Sequence, residues 1–337
     1  MKKKLIAYLG SGHLTREDAA MLTHVNVAFG KLEPDGTIRE QTLAGGDIEK
    51  YKSWNPKLKF ILSLVQTQPN SFTSVCANKD YMHKMGEEAV RIVTTTPYDG
   101  IDLDWEYPCV PSNGQDTCPE DKYRFTELIK TLREHLDAAG KGHLLTIAAG
   151  ADLYYAECTE LDKLAKYLDY INVMTYDLKC GFHALAGHHT ALYSSTGDYF
   201  RNSCDQALRL FHAYGVPKEK LLLGAAMYSR KAEGIEDRNH GLLQISRKPI
   251  GYGPDYSVLA KEYINKNGYV RYWDDEAKAP WLFNGDTFIS YDDPQSMRCK
   301  AQYVLDHDYA GVFYWEHKCD DTGALLGALY DVLKQHL

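Results

Sequence analysis

Short apolar runs alternate along this chain with stretches of helical period. Runs rich in Val, Ile, Leu and aromatic residues read as buried strands, and segments with apolar residues three and four apart read as helices. The pattern predicts strands over Leu5–Leu9, His24–Phe29, Leu58–Val65, Ile101–Glu106, His143–Ala149, Tyr170–Tyr176, Lys220–Tyr228 and Gly311–Trp315. Helices are predicted over Thr15–Leu22 with Thr15 as N-cap, Asp47–Ser53, Lys79–Val93, Pro119–Ala138 stopped by Gly140, Glu160–Tyr167, Gly197–Tyr214 ended by Gly215, Gln295–His307 and Thr322–Leu333. Eight strand–helix units in succession predict an α/β fold, a (β/α)8 TIM barrel. Between Ser229 and Pro294 the rhythm breaks into Gly, Tyr, Asp and short β-like pieces, and only Tyr256–Asn265 looks helical. This stretch reads as a small α+β insertion subdomain (229–294) between strands seven and eight. Residues 1–228 and 295–337 then form the barrel.

Strand four departs from the pattern of its neighbours. In Asp99-Gly100-Ile101-Asp102-Leu103-Asp104-Trp105-Glu106-Tyr107-Pro108, apolar and acidic residues alternate. A strand sends successive side chains to opposite faces, so the three acids from Asp102 to Glu106 share one face, each about 6.5–7 Å from the next. A buried strand ordinarily carries no acids, and a half-buried one turns its polar face to water. The apolar flanks and the company of other buried strands place the acidic face toward an enclosed centre. Carboxylates so close cannot all ionise freely, so at least one pKa is expected to rise, which suits general acid chemistry.

Composition narrows the partners. The chain is 44% hydrophobic and 25% charged, an ordinary globular balance. With 46 acids against 38 bases and no long basic run, nucleic acid is not an expected partner. Met1-Lys2-Lys3-Lys4 before Leu5–Leu9 only faintly resembles a signal peptide, and no apolar run approaches the roughly 20 residues of a membrane span. The chain reads as cytoplasmic, or as secreted if a signal was removed, and as a monomer without a membrane partner. Cys109 and Cys118 bracket a Pro/Gly/Asn loop where a local disulfide fits, and the other six cysteines are scattered without a C-x-x-C pair. No metal site or cofactor is expected. His188 and His189 are adjacent and diverge, and no Gly-rich phosphate loop is present. Tyr272, Trp273 and Trp281 fit equally a cleft wall or the core of the insertion.

Barrel enzymes carry their sites at the C-terminal ends of the strands. Those ends supply Tyr8, Phe29, Ser63, the acids, Met174, Tyr176 and Asp177, Met227, Tyr228 and Arg230, and Trp315 with Glu316. An acidic cluster ringed by tyrosines and a tryptophan suits a carbohydrate. These residues also carry a resemblance. Asp99–Glu106 (DGIDLDWE) is similar to the D-G-x-D-x-D-x-E signature of family 18 glycoside hydrolases, the chitinase family. Met174–Asp177, Gly187–Tyr193, Phe288–Asp293 and Gly311–Glu316 resemble further segments of that family along nearly the whole chain. One segment departs: the family's S-x-G-G on strand three is here Ser63-Leu64-Val65-Gln66, without either glycine.

The resemblance implies a hydrolase of β-1,4-linked N-acetylglucosamine polymers or oligomers with a retaining, substrate-assisted mechanism. It makes Glu106 the general acid and later the base. Asp104 steadies the substrate's acetamido group, which attacks the anomeric carbon, and Asp102 shares a proton or hydrogen bond with Asp104. Tyr176 donates to the acetamido carbonyl, Asp177 contacts the sugar, and Trp315 floors the ring above Met174. Tyr228 and Arg230 bind substrate, and Phe29 and Tyr107 complete that set. Tyr8 and Ser63 support Asp102, and Asp99 holds the start of the strand. Chitin or a chitooligosaccharide is the implied substrate. Rival readings are an endo-β-N-acetylglucosaminidase acting on N-glycans or cell-wall glycan, a non-catalytic chitooligosaccharide-binding protein, and a barrel enzyme whose three acids ligate Mg²⁺ or Mn²⁺.

Overall fold

A computed structural model describes residues 2–41 and 48–337. Eight parallel strands, β1 (Lys4–Leu9), β2 (His24–Leu32), β3 (Lys59–Gln66), β4 (Gly100–Asp104), β5 (Leu144–Gly150), β6 (Tyr170–Met174), β7 (Leu221–Ala226) and β8 (Gly311–Trp315), pair in chain order. β8 pairs with β1 and β1 with β2, which closes the (β/α)8 barrel. A two-residue strand, Ile38–Arg39, adds antiparallel to the end of β2.

Strand alternation sorts the core into two layers. Outward residues such as Leu5, Ala7, Ile101, Leu103, Ile147 and Val312 pack under the helices. Inward residues Ile6, Tyr8, Ile61, Ala148, Tyr170, Met174, Leu222 and Phe313 fill the barrel. The helix over Lys79–Thr95 buries Met82, Met85, Ala89 and Ile92 at spacings of three and four, and that over Asp121–Ala139 buries Phe125, Leu128, Ile129, Leu132 and Leu136 in the same way. At the start of β4, Gly100 lies so near β5 that a Cβ would sit 2.3 Å from the Leu144 carbonyl oxygen. A side chain there would push the two strands apart.

The predicted boundaries need several corrections. β4 stops at Asp104 and β6 at Met174, so Glu106 and Tyr176 lie in the loops above the barrel. The predicted helix over Gly197–Tyr214 is confined to Cys204–Ala213, capped by the Ser203 hydroxyl accepting from Gln206 N; the preceding turn carries Gly197 at φ 90 and Arg201 at φ 52, outside helical geometry. The helix expected from Asp47 begins within the described residues at Ile48, and Asp47 and Met1 lie outside them. Tyr256–Asn265 resolves into a single turn over Tyr256–Val258 followed by a π-helical turn over Leu259–Tyr263. The helices Ser71–Ala77 and Leu153–Glu157 had no counterpart in the pattern, being too short to show a helical period.

β7 ends at Ala226, and Tyr228 begins a separate strand, Tyr228–Ala232, rather than ending β7. Met227 N–H still donates to the Trp315 carbonyl of β8, and the chain turns away at the Met227 carbonyl, which accepts from Tyr256 N–H in the insertion. The strand joins a five-stranded antiparallel sheet in the order Gly251–Asp255, Tyr228–Ala232, Phe288–Ser290, Ala279–Phe283, Val270–Asp274. Trp281 is buried with Phe283, Phe288, Ile235 and Ala186 in a core of its own, and the half-buried Tyr272 packs against it. The Arg271 guanidinium lies over the Trp273 ring.

Candidate active site

Register builds the bottom of the site. Ser63 on β3 is opposite Asp102 on β4, and Asp102 is opposite Thr146 on β5. Neighbouring strands lie about 4.7–4.9 Å apart, so three polar side chains in one row can meet. Asp102 accepts from Ser63 Oγ at 2.6 Å, Thr146 Oγ1 at 2.6 Å, Tyr8 Oη at 2.8 Å and Asn172 Nδ2 at 3.4 Å, and is fully buried. Burial raises its pKa and the donors oppose the rise. Thr146 and Asn172 were not singled out from the sequence; only the register of β5 and β6 reveals them.

Asp104 lies one layer higher. Its Oδ1 is buried and has no hydrogen-bond partner among the described residues. The expected bond from Asp102 is not formed, because the Asp102 oxygens are taken by donors from four other strands. Burial, and then the charges of Glu106 and Asp102, push the Asp104 carboxyl well above the usual carboxylate range. Glu106 is also raised, by burial and then by Asp177, against a hydrogen bond from Tyr107. Trp105 between them points outward, stacked on Phe72 at 5.2 Å and edge-on to Phe125 at 5.3 Å. The alternation of acids and apolar residues is therefore an alternation of pocket and core.

Aromatic rings surround the acids. Trp315 stacks on Phe29 at 5.3 Å and lies 5.8 Å from Tyr8. Met174 is buried in the barrel layer against which Trp315, Phe29, Tyr107 and Tyr176 pack. Tyr176 meets Phe313 and Tyr228 edge-on. Tyr107 packs edge-on to Tyr154 and Tyr155, neither of which the strand-end reading contained. Non-proline cis peptides occur at Ala28–Phe29, Glu106–Tyr107 and Trp315–Glu316.

Asp177, Tyr228 and Arg230 bind one another. Asp177 accepts from Tyr228 Oη at 2.7 Å and from Arg230 Nε and Nη2 at 2.6 and 2.5 Å. Burial works against this carboxylate, but the neighbouring His189 ring and the hydrogen bonds from Arg230 hold it well below its ordinary range. Tyr252, exposed and unnoticed in the sequence, lies 3.7 Å beneath the Arg230 guanidinium. His189 turns to Asp177 and His188 to Asp274, so the two rings diverge, and no group of three metal-ligating side chains occurs among the described residues.

Asp99 stands apart at the other end of β4, accepting from Phe60 N–H and pairing with Lys59 and Lys52. The eight cysteines are free thiols. The Cys109–Cys118 bridge is not formed. Cys109, at φ 64, directs its Sγ to the Pro119 and Cys158 carbonyls, while Cys118 turns to Glu120.

Known proteins match this geometry. The profile described as glycosyl hydrolases family 18 matches residues 4–320. Chitinase A1 of Niallia circulans is 37% identical over 317 residues, covering 87% of this chain and 45% of that protein, so the chain spans less than half of it. Chitotriosidase-1 of Mus musculus is 30% identical, covering 94% of this chain and 73% of that one. Among solved structures, a glycoside hydrolase family 18 N-acetylglucosaminidase from Paenibacillus barengoltzii superimposes with a TM-score of 0.93 at 45% identity, over 98% of this chain and 99% of that chain. On sequence, on barrel and on the acids at the end of β4, the chain belongs to the glycosyl hydrolases of family 18.

Proposed function

We propose that the chain hydrolyses β-1,4 bonds of N-acetylglucosamine oligomers or polymers with retention, using the substrate's acetamido oxygen as nucleophile. The observation that carries the reading is the division of labour among the three acids. Asp102 is saturated by four donors, Asp104 holds a buried oxygen with no partner among the described residues, and Glu106 sits above them with a raised pKa. A carboxyl with a raised pKa keeps its proton toward neutrality and can give it to a glycosidic oxygen. The Asp104 oxygen left without a partner among the described residues is an acceptor for the acetamido N–H and orients the acetamido oxygen for its attack on the anomeric carbon. The Tyr176 hydroxyl, on the ring packed edge-on between Phe313 and Tyr228, is the donor for the acetamido oxygen. Trp315 and Phe29 supply the apolar face on which the reacting sugar lies. Once the leaving group has gone, Glu106 takes a proton from the incoming water. Asp177 is neutralised by Arg230, accepts a hydrogen bond from Tyr228, and fixes this wall of the pocket rather than joining the proton transfers.

Product stereochemistry tests the reading. Proton NMR of the first product should show the β-anomer, and substrates without the 2-acetamido group should be inert. Initial α-anomer, or comparable cleavage of glucose oligomers, would overturn it. A second reading within the family, release of single N-acetylglucosamine units, is favoured by the 45% identity to the Paenibacillus barengoltzii N-acetylglucosaminidase. Product profiling on chitooligosaccharides, colloidal chitin and a high-mannose glycopeptide side by side separates it from chain-internal cleavage.

A further inference from the structure

Glu106 lies beyond the last residue of β4, whose ladder to β5 ends at Asp104 opposite Ala148. Its main chain is therefore held by something other than the sheet. Ser112 Oγ donates to the Glu106 carbonyl at 2.5 Å. Gln115 Nε2 donates to the next carbonyl, Tyr107 O, at 2.6 Å and to Val110 O at 2.6 Å. Gln115 Oε1 accepts from the Trp105 indole at 3.1 Å and from Gln66 Nε2 at 3.4 Å. The side chain is buried at 5% exposure and spends both ends of its amide on the segment that carries Glu106. The polarity of this network fixes the amide's orientation, since a flip would set oxygen against two carbonyls and nitrogen against two N–H donors. Gln66, one of the two residues standing where the family pattern has glycine, supplies one of those donors.

We infer that Ser112 and Gln115 are positioning residues, a clamp that fixes the main chain of the general acid through the Glu106 and Tyr107 carbonyls. The inference rests on the role proposed for Glu106. Trp105 is the anchor: wedged between Phe72 and Phe125, it ties Gln115 to the outer core. Asn70 and Asp116 add a pair of hydrogen bonds between the loops after β3 and β4. Proton donation depends on placement, and a shift of about 1 Å can cost about 100-fold in rate. The clamp matters only where the leaving group needs a proton.

The test compares leaving groups. Ser112→Ala and Gln115→Glu are assayed for kcat/KM on N-acetylchitotriose and on 2,4-dinitrophenyl β-glycosides of N-acetylglucosamine and of its dimer, whose leaving group departs unprotonated. Gln115→Glu keeps the size but sets a carboxylate oxygen against two carbonyls. Both variants should lose at least about tenfold on the trisaccharide and less than about threefold on the dinitrophenyl glycosides, with Ser112→Thr restoring the trisaccharide rate. Equal losses on both substrate types, or no loss on either, overturn the clamp. Ser112→Ala with its threonine rescue decides the matter if Gln115→Glu does not fold. Glu106→Gln is the control. If it cleaves the trisaccharide at the wild-type rate, the failed assignment is that of the acid and not of the clamp.

Discussion

Three carboxyls in one pocket have different neighbours, and the neighbours set different behaviour. Glu106→Gln keeps the shape and removes the proton, so kcat on unactivated oligosaccharides should fall about 10²–10⁴-fold while binding persists; steady-state kinetics and calorimetric titration check both. The raised Glu106 pKa keeps the acid form to higher pH than an ordinary glutamate would, so activity should be lost on the alkaline side as pH rises through it. Asp104 bears on stability. Its folded-state pKa lies well above that of the unfolded chain, so the folded state binds the extra proton. Stability is then complete below the ordinary carboxylate range and declines as pH rises from there toward the raised value. Asp104→Asn removes that dependence. Its melting temperature should exceed the wild type's by an increment that grows from pH 4 to pH 7.5, and a constant or shrinking increment would contradict the charge argument.

At the scale of elements, the site depends on register. Ser63, Asp102 and Thr146 form one row across β3, β4 and β5 because the pairing puts them level, and a shift of one residue would send Asp102 into the helix layer. Thr146→Val keeps the shape and removes one donor to a buried anion. Hydrogen bonds to charged groups are worth about 1.5–3 kcal/mol, so urea unfolding should show a loss of that size. The alternation on β4 made the acidic face legible from sequence, because period two is a strong local signal. The length of the strand was not legible. Trp105 and Glu106 continue the alternation after the hydrogen-bond ladder has ended, and only the partner strand shows where it stops. Thr146 and Asn172 were invisible for a related reason: a single threonine or asparagine in an apolar strand says nothing until its neighbour across the sheet is known.

For the whole molecule, the question is how the insertion is fastened to the barrel. Asp292 follows the last strand of the insertion and is fully enclosed with Lys300 of the Pro294–Asp306 helix, at 2.5 Å. Lys300 also donates to Thr190 Oγ1, and Asp292 accepts from Ser296 and from Ala226 N–H at the end of β7. This one pair joins the exit of the insertion, the end of β7 and the loop after β6. Lys300→Met should strand a buried carboxylate and cost about 3–5 kcal/mol. Lys300→Met combined with Asp292→Asn should cost less than Lys300→Met alone, as measured by chemical denaturation; a costlier double variant would refute the account.

By itself the sequence determined the barrel and the alternation of acids with apolar residues along β4, because both are written in short-range periodicity and each strand must bury one face or both. Tertiary structure alone decided which donors hold Asp102, that Asp177, Tyr228 and Arg230 satisfy one another, and that Cys109 faces Cys158 rather than Cys118. It also decided that Trp281 belongs to a core and not to a cleft. These are contacts between residues far apart in the chain, and their energies depend on distance and burial. No pattern along one dimension contains either quantity.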